Sequence, residues 1–311
     1  MLAEFQNVFV QLIVLFALIA VGYAMKKLHI MDEDFDAKFS SLVLNTALPA
    51  LILASVLAAD ELPSTAEILQ TILFSCLAFV VLIIAALVVT AILRVPVGQR
   101  GTFRFMLIFG NTGFLGYPVV TAIFGQEALI YACIYNLPFN LICFSLGVWL
   151  IVSDNDYGVK VKMKPQDFLS TCNVCCIIVI VLALLGIHDV PVLGDALDVL
   201  GDMTTPSTLL IVGSSLANLA PRELLGTPRL WAAALCRLLL MPALTWLALS
   251  PLLSGQLLQM LVILAGMPVA TNGTILSYRY GGNPKIMAQG TFLTTVLSLA
   301  TLPLIAAVLL A

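Results

Sequence analysis

The chain has 311 residues, 61% of them hydrophobic and only 10% charged, with a mean hydropathy of +1.09 and a formal net charge of −3. A soluble domain carries about 25% charged residues, so the composition excludes a water-exposed globule. Nothing in the charge balance points to nucleic acid.

A bilayer span needs ~20 apolar residues. Runs of that kind lie at 5–25, 37–59, 66–93, 102–123, 127–152, 169–187, 194–217, 229–251, 257–278 and 286–310, numbered here spans 1 to 10. Most connections are short, so the spans form one integral membrane domain. Span 1 is preceded by Glu4 and followed by Lys26 and Lys27, the reverse of a cleaved signal peptide. The connections after the odd-numbered spans hold 13 of the 14 basic residues. These are Lys26, Lys27 and Lys38, then Arg94, Arg100 and Arg104, then Lys160, Lys162 and Lys164, then Arg222 and Arg229, then Arg279 and Lys285. The opposite face holds acids, among them Glu4, Asp60, Glu61, Glu67, Glu127, Asp189, Asp195 and Asp198. By the positive-inside rule the basic face is cytoplasmic, and both termini lie outside the cytoplasm.

Span 2 contains Asn45-Thr46-Ala47-Leu48-Pro49. Span 4 reads Gly110-Asn111-Thr112-Gly113-Phe114-Leu115-Gly116-Tyr117-Pro118, with three glycines and a proline in nine residues. Gly costs ~1 kcal/mol and Pro ~3 kcal/mol per helix position relative to Ala. Pro118 lacks an N–H, which is expected to strand the carbonyl of Phe114. An unwound stretch facing a polar cavity is therefore expected here, against the plainer reading of a kink with glycines for close packing.

The most polar connection, 153–168, divides the chain into five-span halves, 1–152 and 169–311. An odd number of spans per half inserts the second half upside down, and if the halves are homologous they form an inverted repeat. Span 6 opens with a Cys172…Cys175-Cys176 cluster, read as apolar filler rather than a metal site, since the two histidines, His29 and His188, lie in loops. Span 7 carries Asp202-Met203-Thr204-Thr205-Pro206, which repeats the polar-x-x-x-Pro pattern of span 2. Asp202 is a candidate for ion or proton coupling, with a wetted position near the outer mouth as the alternative. Its counterpart Asn45 cannot titrate. Arg237 in span 8 lies about 12 Å from the basic face at 1.5 Å per residue. It is expected to snorkel to the interface, with attraction of an anionic substrate as the alternative.

Span 9 contains Gly266-Met267-Pro268-Val269-Ala270-Thr271, the same G-x-P-V-x-T order as Gly116 to Thr121 and 150 residues later. Asn272, Gly273 and Thr274 follow. Paired interruptions in corresponding spans point to a transporter's binding site. The candidate substrate-binding residues are Asn111, Thr112, Gly113, Gly116, Pro118, Pro268, Thr271, Asn272 and Gly273. There is no P-loop, G-x-S-x-G or H-E-x-x-H, so neither an enzyme nor direct ATP drive is expected.

The chain resembles the auxin efflux carrier family, which includes bacterial malate and malonate permeases and the plant PIN carriers. The resemblance rests on Leu44 to Ile52, Asn111 to Pro118, Pro268 to Asn272 with Tyr280-Gly281, and Thr294 to Pro303. It implies an all-α membrane fold of ten transmembrane helices, built as two inverted five-helix repeats with broken, crossed helices 4 and 9. It also implies transport of organic anions, with Asn111 and Pro118 matching the span 4 motif and Pro268 the span 9 crossover. The expected protein is a permease of the bacterial inner membrane that moves a small mono- or dicarboxylate by alternating access. A channel-like pore or a membrane solute sensor is the alternative. The expected partners are the anion, the lipid bilayer and H⁺ or Na⁺, with a second copy of the chain as a candidate; no cofactor and no metal are expected.

Overall fold

The computed structural model describes residues 2–59, 62–154, 171–188, 190–217, 226–280 and 282–310. Among these the chain is helical, apart from turns and one isolated β-bridge. In chain order the helices are α1 (Leu2–Lys27), α2 (Glu33–Leu42), α3 (Leu48–Leu57), α4 (Thr65–Ile92), α5 (Arg100–Ile108), α6 (Gly116–Phe124), α7 (Leu129–Ile142) and α8 (Val148–Val152). They continue as α9 (Thr171–Leu184), α10 (Pro191–Gly201), α11 (Thr204–Ala217), α12 (Pro228–Leu235), α13 (Met241–Leu249), α14 (Gln256–Ala265), α15 (Asn272–Tyr280) and α16 (Pro284–Leu310).

Among the described residues, five continuous helical stretches are long and apolar enough to cross a membrane: Asp34–Leu57, Thr65–Ile92, Gln126–Val152, Pro228–Leu249 and Pro284–Leu309. These coincide with predicted spans 2, 3, 5, 8 and 10. Spans 4, 7 and 9 are each two shorter helices, α5/α6, α10/α11 and α14/α15. Helix α4 leaves Leu73, Val80, Ile84, Leu87 and Val88 exposed at helical spacing, an apolar stripe of the kind lipid covers.

Prolines do not cause the breaks in spans 4 and 7. Pro118 is the third residue of α6, and Pro206 the third residue of α11. In the first turn of a helix the N–H has no intrahelical partner, so its absence there is harmless. Span 4 is unwound at 109–115, as expected, and Pro118 then opens α6 rather than interrupting a helix. In spans 2 and 8 the helix stays continuous and widens into a π-helical turn just ahead of Pro49 and Pro242, at Val43–Ala47 and Cys236–Leu240. There Leu48 N–H bonds to Val43 O and Met241 N–H to Cys236 O, which absorbs the disturbance without a break.

The helices gather into two compact units, each drawing on both halves of the chain. The first comprises Met1–Ile72, Gly113–Leu137 and Leu169–Ala220. Its main pair is α1 against α11. A Cβ on Gly22 would fall inside 3.0 Å of the Leu210 backbone, and one on Gly213 inside 3.0 Å of the Ile19 and Tyr23 backbones. Only glycine allows that approach. Near one end of the pair, Asp36 accepts from Lys26 Nζ at 2.6 Å and from Ser214 Oγ at 2.7 Å, tying α2 to both helices. Cysteine packs tightly in this unit: Cys133, Cys175 and Cys176 are buried, with the Tyr117 hydroxyl 3.9 Å from Cys176 Sγ.

The second unit comprises Leu73–Thr112, Pro138–Phe168 and Pro221–Ala311. Its centre is α5 and α14 with the segments that follow them. Residues 260–270 are all buried, and so are 101–112 apart from Arg104. A helix buried on every side belongs to the middle of a bundle. Phe105, Phe109, Phe139 and Phe79 stack in series along it, with ring centroids 4.8, 5.8 and 6.1 Å apart. Asp154 caps α5: its carboxylate accepts from Gly101 N–H at 2.7 Å, Thr102 N–H at 2.6 Å and the Thr102 hydroxyl at 2.7 Å.

Candidate functional site

Each interrupted span leaves backbone groups unsatisfied at its half-helix ends. In the second unit they are met by a crossover. Helix α5 stops at Ile108 and the chain turns extended at Phe109. Helix α14 stops at Ala265, and α15 starts only at Asn272. The two loose segments lie antiparallel and form a bridge between Gly110 and Val269. Asn111 N–H donates to Pro268 O at 2.7 Å, and Ala270 N–H donates to Phe109 O at 3.0 Å. Pro268 therefore serves as an acceptor inside the break, where its missing N–H is not needed. Val269 N–H, which points away from its partner strand, donates to Thr294 Oγ1 of α16 at 3.0 Å. Thr294 in turn donates to Gly290 O at 2.7 Å.

Arg237 completes the crossover. Its Nε donates to Met267 O at 2.9 Å, and its Nη1 to Leu107 O at 2.8 Å and Ile108 O at 3.2 Å. These carbonyls lie at the C-terminal end of α5 and just past the end of α14, where each half-helix presents its negative pole. Arg237 is the largest fully buried side chain, 1% exposed. The expectation of a snorkelling arginine is corrected. Snorkelling applies to a side chain whose alternative is hydrocarbon; here oriented carbonyls replace the water. Arg237 sits in the π-helical turn Cys236–Leu240, a local widening often found at functional sites. A Cβ on Gly110 would fall well inside 3.0 Å of Arg237 Nη2, so the guanidinium lies directly on the backbone at that glycine.

The predicted substrate residues divide between the units. Asn111, Thr112, Pro268, Thr271, Asn272 and Gly273 belong to the crossover unit, while Gly113, Gly116 and Pro118 belong to the first unit with α6. Asn111 and Thr112 are buried, at 6% and 1% exposure. Asn272 opens α15; its Nδ2 reaches Cys143 Sγ at 4.0 Å, and its Oδ1 is buried with no hydrogen-bond partner among the described residues. Gly273 is held against Phe105 and Met287, where a Cβ would fall 2.6 and 2.9 Å from their atoms. A small cavity with room for about one water molecule opens beside Arg237, Val269, Gly290 and Thr294.

The two coupling candidates lie in the first unit. Asp202 is exposed at the step between α10 and α11. Asn45 lies in the π-helical turn of span 2, donates to Ser41 O at 2.8 Å and accepts from Thr171 Oγ1 at 3.1 Å. Sequence reasoning did not single out Gly110 or Thr294 for the crossover. Their signals were present in the glycine-rich run and the Thr294-Thr295 step, but their contacts run to other spans.

Paired, interrupted helices are a transporter's feature, and comparison with known proteins agrees. The sequence matches the family described as "Membrane transport protein" over residues 7–173 and 163–306. The chain belongs to that family, the auxin efflux carriers. It is 28% identical over 307 residues to an uncharacterized transporter of Methanocaldococcus jannaschii, covering 94% of this chain and 96% of that one. It is 26% identical over 306 residues to an uncharacterized transporter of Methanothermobacter thermautotrophicus, covering 94% and 95%. As a member of the family the chain is a multi-pass membrane protein with a transport role.

Proposed function

We propose that this carrier is a secondary transporter that moves a small carboxylate by alternating access, with the substrate taken at the crossover. The observation that carries the reading is the antiparallel pairing of the two interrupted segments. Irregular backbone is tolerated at membrane depth only where protein or a water-filled cavity satisfies it, and discontinuous helices of this kind build substrate sites in transporters. The sign of the charge favours an anion. The N-terminal pole of α15 carries partial positive charge, Arg237 adds a full one, and the carboxamide of Asn272 is under-used. Asn111, Thr112, Thr271 and Asn272 are the polar residues assigned to the substrate; Gly113, Gly116 and Pro118 set the start of α6.

The same reading takes the halves 1–152 and 169–311 as inverted repeats joined by 153–168. In support, each compact unit combines corresponding spans: 1 with 6 and 2 with 7 in the first, 3 with 8 and the crossing parts of 4 with 9 in the second. The lysine and arginine bias sets the basic face toward the cytoplasm of the plasma, or inner, membrane. Drive by H⁺ or Na⁺ is assigned to the carrier, with Asp202 as the titratable candidate and Asn45 as its counterpart.

Purified protein in proteoliposomes, loaded with unlabelled dicarboxylates or monocarboxylates, tests the reading. Saturable counterflow of a labelled acid is expected. A conducting pore gives flux without counterflow, and a sensor gives binding without flux. Asn111→Ala and Asn272→Ala are each expected to lower uptake about tenfold, the equivalent of ~1.4 kcal/mol. Wild-type uptake by both variants at matched membrane levels refutes the site assignment.

A further inference from the structure

We propose that Arg237 is a built-in cation for the crossover: its guanidinium occupies the carbonyl cluster where a carrier of this architecture would otherwise hold a coupling metal cation, so this cluster is closed to Na⁺. The inference rests on the crossover geometry and deepens the proposed transport reading. Half-helix C-terminal ends and unwound carbonyls are the groups that coordinate cations in discontinuous-helix transporters. Here the ends of α5 and α14 converge, and Leu107 O, Ile108 O and Met267 O all accept from one side chain. Three backbone oxygens from two chain segments around one positive charge form a partial coordination shell of the kind a hard cation takes.

Three features fit a guanidinium in that place. It is more weakly hydrated than an ammonium, and its planar fork can reach two segments at once. Gly110 provides the flat backbone floor beneath Nη2. The π-helical turn Cys236–Leu240 brings the side chain in from a neighbouring helix. Val269 N–H, a backbone donor of the bridge that faces away from the pair, has its own acceptor in Thr294. The crossover thus carries a fixed positive charge, and an anion bound near it requires no co-bound metal ion at these carbonyls. Drive by an ion bound elsewhere, or by H⁺, is compatible with this.

The test is thermal unfolding of the purified protein in detergent, followed by tryptophan fluorescence. Wild type, Arg237→Lys, Arg237→Ala and Arg237→Met are compared in choline, sodium and guanidinium chloride at matched ionic strength and low millimolar concentration. The Ala and Met variants are expected to unfold at least about 5 °C lower than wild type. Guanidinium is expected to restore part of that loss saturably in Arg237→Ala, choline is not, and Arg237→Lys is expected to unfold between wild type and Met. Recovery of the Lys variant folded, with Met and Ala not recovered, supports the charge requirement equally. The proposal is overturned if Arg237→Met unfolds with wild type, or if guanidinium and choline act alike on Arg237→Ala. No substrate flux enters these readouts, so a chain that moved no anion would sink the transport reading and leave this one standing.

Discussion

Gly110→Ala tests the crossover at its tightest point. A Cβ there would sit more than an ångström inside the ordinary 3.4–4 Å contact range of Arg237 Nη2, and 3.1 Å from Met267 Cβ. The arginine tip is flexible in principle, but bonds of 2.8, 2.9 and 3.2 Å to Leu107, Met267 and Ile108 hold it. If the guanidinium yields, two of these bonds are lost. Hydrogen bonds to a charged group contribute ~1.5–3 kcal/mol each, so the expected destabilisation is about 3–6 kcal/mol. If the backbone yields, Asn111 N–H and Ala270 N–H lose Pro268 O and Phe109 O. Two orphaned buried donors cost about 2–6 kcal/mol. Gly113→Ala is the control, because a Cβ there meets nothing within 4 Å; it is expected to stay within about 1 kcal/mol of wild type or gain slightly. The assay is denaturant unfolding in mixed micelles. The double variant Gly110→Ala/Arg237→Ala should be no less stable than Arg237→Ala alone, since the clash partner is gone. Gly110→Ala within about 1 kcal/mol of wild type, or full additivity in the cycle, refutes the reasoning.

The remaining predictions use the same assay. Thr294→Val orphans Val269 N–H and is expected to destabilise by ~1–3 kcal/mol, whereas Thr294→Ser keeps the acceptor and most of the stability; equal losses in both would remove the capping role. Gly213→Ala places a Cβ against Ile19 and Tyr23 backbone, which cannot rotate away, and is expected to cost at least about 2 kcal/mol; a neutral result would mean that α1 and α11 are not so closely packed. Asp154 gives a pH dependence. Burial raises its carboxyl above the usual 3.8, against the donors from Thr102 and Gly101 that lower it. The folded chain then binds the proton more tightly than the unfolded chain. That contribution is complete below the unfolded value and is lost as the pH rises through the raised folded one. The stability of wild type relative to Asp154→Asn should therefore fall as the pH rises above about 4; a difference that rises instead contradicts it.

The helical stretches and the places where two of them interrupt were legible because long apolar runs and clustered glycines act locally. The crossover was legible only as a pair of anomalies, since the hydrogen bonds that join Asn111 to Pro268 and Ala270 to Phe109 run between residues far apart in sequence. The unwinding of span 4 was legible, but the place of Pro118 in it was not: one proline reads alike in the middle of a helix and in its first turn, and only the start of α6 at Gly116 separates the two. Arg237 was misread because depth along an idealised helix ignores both the π-helical turn and the neighbouring carbonyls. Composition measures the cost of burying a charge, and it does not show which dipoles are waiting for it. Thr294 and Gly110 were hidden in the same way, as ordinary residues whose partners come from other spans.

The α1/α11 pair carries a mechanical consequence. Gly22 is notched onto Leu210, and Gly213 onto Ile19 and Tyr23. Two notches about a turn apart, cut in opposite partners, fix the axial register like teeth. Sliding one helix past the other by even one residue, about 1.5 Å, would bring a side chain onto a carbonyl that now meets only hydrogen. Shear between these helices is barred, so any conformational cycle must move the pair as a single strut and put its flexing elsewhere in the chain.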